Sequence, residues 1–69
     1  MDSESAPIPV RLRDADRTAT WNPALTRATH VTLVVQLSDG TTETRRTMNS
    51  GRARVRVGER ISNVLAEKA

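Results

Sequence analysis

Polar and apolar residues alternate along most of this chain, and the alternation has a period of two. Ile8, Val10 and Leu12 interleave with Pro9, Arg11 and Arg13, the pattern of a half-buried strand. Thr18 to Trp21 repeats it briefly, with Ala19 and Trp21 on the inner side. His30 to Leu37 is the clearest case. Val31, Leu33, Val35 and Leu37 alternate with Thr32, Val34 and Gln36, and the Asp39-Gly40 pair that follows favours a tight hairpin turn. Thr41 to Met48 returns as the second arm, rich in threonine. Arg52 to Val57 alternates again, arginines against Ala53, Val55 and Val57.

Breaks in the pattern supply the turns. Asp14-Ala15-Asp16 can bond its own backbone, Asn22-Pro23 opens a loop or single helical turn, and Asn49-Ser50-Gly51 reverses the chain. After Gly58 the spacing changes. Ile61, Val64, Leu65 and Lys68 fall on one face of a helix, with Glu59 at its start. The expected fold class is therefore α+β. A small antiparallel sheet of three to five strands, five being enough to curl into a barrel, carries one short C-terminal helix on its apolar face. The expected organisation is a polar tail over residues 1–7 and one β-rich domain over residues 8–69.

A two-residue loop at Asp39-Gly40 sets a register for the last three strands. Val35 then faces Thr44, Leu33 faces Arg46, and Thr44 and Thr42 face Val55 and Val57. Glu43 falls beside Arg56, a favourable pair, and Arg45 beside Arg54, an unfavourable one. Arg46 is left on the apolar face and must reach out at the margin.

Composition narrows the function. In 69 residues only 36% are apolar and Trp21 is the one aromatic, so the core is thin and Trp21 is expected as its main packing unit. Cysteine is absent and His30 stands alone, which removes disulfides and the usual zinc motifs. No cofactor or metal is expected, since Asp14 and Asp16 provide too few oxygens for a calcium loop. Ser38, Ser50 and Ser62 sit in no nucleophile motif, and Gly40, Gly51 and Gly58 form no phosphate-cradling loop. His30, at a strand entry, reads as a margin residue, and Met48 as core or hairpin margin. A domain this size has little room for a desolvated acid–base pair, so an enzyme is not expected. Small scaffolds without disulfides recover stability by self-association or by docking on a partner.

Charge points to the class of partner. The formal net charge is +3, and six arginines lie between Gly40 and Arg60 against Glu43 and Glu59. Such an excess attracts polyanions or acidic protein surfaces. Ten of the eleven basic residues are arginine, whose planar fork suits phosphate, although a GC-rich genome also enriches arginine. In the register above, Arg45, Arg52, Arg54 and Arg56 share the outer sheet face, the last three spanning roughly 13 Å. These four are the candidate contact residues for nucleic acid or an acidic partner. Duplex DNA is favoured over single strands, because one tryptophan is no stacking platform. The same face can also serve only to solvate the sheet. The alternative function is a protein-interaction or structural accessory subunit of a larger assembly, viral or phage assemblies included. No apolar run reaches the length of a membrane span and residues 1–9 do not resemble a secretion signal, so a cytoplasmic location is expected.

Overall fold

Val31, Leu33 and Val35 alternate along a seven-residue strand that pairs on both sides, and their side chains are buried in the core. The structure, a computed structural model, describes residues 6–67. Its strands in chain order are β1 (Ala6–Pro7), β2 (Arg11–Arg13), β3 (Thr18–Thr20), β4 (His30–Gln36), β5 (Thr42–Met48), β6 (Arg52–Arg54) and β7 (Arg60–Ala66). They form two antiparallel sheets. The long sheet has the order β1-β7-β4-β5, and the short sheet the order β2-β3-β6. A single 3-10 turn, Pro23–Leu25, starts at Asn22, whose side chain accepts a hydrogen bond from the Ala24 amide at 3.0 Å.

The architecture is all-β, and the expected C-terminal helix does not exist. Residues 60–66 form β7, paired with β4 and β1. The reason lies in one irregularity. Val34 pairs with Asn63 and Val35 with Ile61, so Ser62 is an extra residue in β7. A bulge of this kind shifts the side-chain phase by one. Ile61, Val64 and Ala66 therefore share the buried face, opposite Val35, Leu33 and Val31. The bulge turns a period of two into a spacing of three, which mimics a helix in the sequence. The Ser62 hydroxyl donates to the Val34 carbonyl at 3.1 Å across the bulge. Lys68, the last residue of the expected helical face, lies outside the described residues, as do residues 1–5 of the expected tail. Ala6 and Pro7 pair with Ala66 and Leu65.

The β4–β5 hairpin forms as expected, one residue out of the expected register. Leu37 N–H donates to the Thr41 carbonyl and Gly40 N–H to the Leu37 carbonyl. The loop is thus Ser38-Asp39-Gly40, three residues with Gly40 at φ +90°, the type I turn with a left-handed closing residue. Val35 faces Glu43, Leu33 faces Arg45 and Thr32 faces Arg46. Arg46 consequently lies on the outer face, where it binds Glu67. Met48 ends β5 exposed.

The expected meander also fails at its third strand. β6 pairs with β3 in the short sheet, not with β5. Asn49 directs the change. Its side-chain amide donates to the carbonyls of Pro23 and Ala28, and its oxygen accepts the Trp21 indole N–H at 2.8 Å. Trp21 N–H in turn donates to the Gly51 carbonyl. These bonds carry the chain after β5 across to β3. Val57, expected on the apolar sheet face, sits in the following turn and is 84% exposed.

The apolar faces of the two sheets share one core. Val31, Leu33, Val35, Ile61 and Val64 from the long sheet meet Ala19, Trp21 and Val55, with Leu12 and Ala53 partly buried beside them. Trp21 is buried, as its role as packing unit requires.

The β2–β3 turn holds Asp14, Ala15 and Asp16 at φ +55°, +56° and +68°. Aspartate tolerates this left-handed conformation better than alanine does. Arg17 N–H closes the turn on the Asp14 carbonyl, and Ile61 N–H ties it to β7 through Asp16. Ala15 is exposed, so its substitution touches only the backbone. Removing its Cβ relieves about 1–2 kcal/mol, against about 0.5–1 kcal/mol for glycine's freedom in the unfolded chain. Ala15→Gly is therefore expected to raise the melting temperature in a thermal unfolding scan.

Candidate nucleic-acid interface

Three short segments of identical pattern build the outer face of the short sheet: Arg11-Leu12-Arg13, Thr18-Ala19-Thr20 and Arg52-Ala53-Arg54. Their register aligns them residue by residue. Leu12, Ala19 and Ala53 form one row, on the core side. Arg11, Thr20 and Arg52 form a second row, and Arg13, Thr18 and Arg54 a third, both on the other face.

The two rows set four arginines at the corners of a rectangle. Neighbouring strands lie about 4.8 Å apart and alternate residues about 6.6 Å apart. The arginine backbones are thus separated by roughly 10 Å across the sheet and 6.6 Å along it. Thr18 and Thr20 occupy the middle strand, so no two arginines stand directly opposite, where like charges repel most. Between the arginine walls runs an open groove of about 780 Å³ with the threonines in its floor. Thr18 is buried there and donates its hydroxyl to Asp14 at 3.3 Å. Trp21 and Leu25 line the groove as its apolar part. With Asp14 the only acidic group among the lining residues, the four guanidinium groups give the groove a charge of +3.

The four arginines expected to share a face are divided by this arrangement. Arg52 and Arg54 are exposed on the outer face of β6. Arg56 lies beyond β6, exposed, in the turn before β7. Arg45 sits in the other sheet and is neutralised. It bonds Glu59 through two nitrogens, at 3.0 and 2.7 Å, and Glu43 through Nε. The clash foreseen between Arg45 and Arg54 is absent because their strands are not neighbours. The favourable Glu43–Arg56 pair is not among the ion pairs of the described residues either, since Arg56 lies outside the strands and Glu43 binds Arg45.

Arg11 and Arg13 complete the group that sequence reasoning missed. Their signal was present in the repeated Arg-x-Arg triplets, but nothing local says that both flank one Thr-x-Thr strand. Among the described residues, ion pairs engage Arg45, Arg46 and Arg60 with Glu43, Glu59, Glu67 and Asp16. None engages Arg11, Arg13, Arg52 or Arg54 in these contacts. His30 is half-buried at the start of β4, with Nδ1 3.0 Å from the Thr29 hydroxyl.

The Arg45–Glu59 pair has a structural consequence. The Arg45 guanidinium, helped by the Arg56 amide, holds the Glu59 carboxyl down to about 2 from an ordinary 4.5. A carboxylate depressed in the fold stabilises it above its unfolded value and loses that contribution as pH falls through the folded one. Stability is thus expected to drop between about pH 4.5 and 2. Glu59→Gln should flatten that acid limb in denaturation measured as a function of pH.

Among the described residues, no cluster of three metal-ligating side chains exists and no helix is long and apolar enough to cross a membrane. The chain matches no family model, no curated protein and no solved structure.

Proposed function

We propose that this domain is a non-catalytic binding module that contacts the phosphate backbone of nucleic acid, duplex DNA in preference, through Arg11, Arg13, Arg52 and Arg54. One observation carries this reading. The chain matches its other sheet arginines to carboxylates, yet gathers these four around one groove with a single aspartate. Concentrating like charge on a marginal fold costs stability, and a polyanion offsets that cost. Contacts of this type fix position on the backbone and read little sequence.

Duplex is favoured because stacking needs exposed aromatic rings, and Trp21, the sole aromatic, is buried. Such a module would act in the cytoplasm. The test is fluorescence anisotropy on duplex DNA across a salt series. Four phosphate contacts give a log–log slope of about −3.6. Absence of binding at low salt, or a flat slope, removes the proposal.

A second reading, an interaction or structural subunit of a larger assembly, draws support from β5, whose outer edge has no neighbour among the described residues. Binding to acidic protein with none to DNA would favour it.

A further inference from the structure

β5 runs for seven residues with β4 as its only neighbour among the described residues, and its pairing with β4 contains no bulge. In an antiparallel pair, alternate residues turn both N–H and C=O toward the same side. Leu37 N–H donates to Thr41 and Asn49 N–H to Thr29, so Thr41, Glu43, Arg45, Thr47 and Asn49 face β4. Thr42, Thr44, Arg46 and Met48 turn their backbone groups to the open side. None of them is proline, the residue that would cap such an edge.

We propose that β5 pairs antiparallel with β5 of a second copy of this chain, about a two-fold axis at Thr44, joining two four-stranded sheets into one of eight.

Symmetry and charge together select this register. Opposed residues in a sheet point to the same face, so a two-fold axis between two identical strands must place some residue opposite itself. Centring on Glu43 sets carboxylate against carboxylate. Centring on Arg45 or Arg46 sets guanidinium against guanidinium. Centring nearer either strand end shortens the overlap. Centring on Thr44 places Glu43 opposite Arg45 of the second copy, twice over, and Thr42 opposite Arg46. Thr44 then meets its own counterpart, a pairing of strand-favouring residues. The outward backbone groups of Thr42, Thr44 and Arg46 all find partners in this register.

An inward-pointing charge on an edge strand ordinarily guards against such pairing. Arg45 does not act as a guard, because Glu43 and Glu59 already neutralise it. The second copy brings one more carboxylate and one more guanidinium to the same cluster, so no uncompensated charge is covered.

The chain has no cysteine, which makes crosslinking a clean test of register. Residues opposed in a hydrogen-bonded pair have Cα atoms about 5.5 Å apart, inside the range a disulfide spans. Thr44→Cys is expected to oxidise to a covalent dimer on a non-reducing gel. Thr42→Cys is expected to stay monomeric there, its counterpart lying roughly 14 Å away along the strand. Sedimentation of the unmodified chain should show a monomer–dimer equilibrium. Thr44→Pro removes only an outward N–H, so it should yield a monomer with an unchanged circular dichroism spectrum. A chain that stays monomeric up to about 1 mM, a concentration corresponding to roughly −4 kcal/mol, overturns the proposal, and so leaves the edge to a different protein. Equal crosslinking of the two cysteine variants overturns the register.

Discussion

Ile61→Ala is expected to lower the unfolding free energy by about 3 kcal/mol, within the range for emptying a large buried side chain. Ile61 is the largest of the fully buried residues, at 1% exposure. At roughly 0.05–0.15 kcal/mol per residue, a domain of this length holds about 3–10 kcal/mol in total. One substitution therefore removes about three-tenths of its stability or more. The neighbouring residue makes the comparison sharp. In a C-terminal helix Leu65 would share the buried face with Ile61 and cost as much to truncate. In β7 it faces Thr32 and Pro7 on the outer side, half-buried. Leu65→Ala should cost about 1 kcal/mol, near the centre of the general distribution. Urea denaturation of the two variants, read at constant slope, distinguishes the arrangements. Equal losses would contradict the strand.

Removing Arg52 and Arg54 together is expected to halve the electrostatic component of DNA binding. With four phosphate contacts, a fourfold rise in salt weakens binding on the order of 100-fold, from a slope of about −0.9 per contact. With two contacts left, the same rise weakens it about tenfold. The Arg52→Ala, Arg54→Ala double variant should show the shallower slope, and the Arg11→Ala, Arg13→Ala pair should match it. Each exchange is at an exposed site, so the fold is retained. Arg45→Ala is the control. It breaks the ion pairs with Glu43 and Glu59 and should leave the salt slope unchanged. A slope that follows Arg45 and ignores Arg52 and Arg54 would place the contact surface on the wrong sheet.

Both results depend on how far local sequence specifies this molecule. Alternation at Leu12, at Ala19 and along Val31, Leu33 and Val35 determined by itself which side chains turn inward, because strand geometry sends successive residues to opposite faces. The acidic turn at residues 14–16, the Asp39-Gly40 reversal and the burial of Trp21 were equally local. Loop length was less so. Three residues instead of two moved β5 by one position, and a one-residue slip exchanges the faces of every side chain. Arg45 and Arg46 thereby swapped sides, Arg45 turned toward the core side and Arg46 turned out, each paired with carboxylates.

Only the tertiary structure decided the neighbours. Nothing in Arg52-Ala53-Arg54 says whether it lies beside β5 or β3; the Asn49 side chain, bonded to Pro23, Ala28 and Trp21, settles that. The Ser62 bulge could not be read either, since its spacing of three is shared with a helix and only pairing against β4 tells them apart. Periodicity is a property of one strand, whereas a sheet is a relation between strands distant in the chain. That is why the arginines were visible as a class while the four that stand together were not.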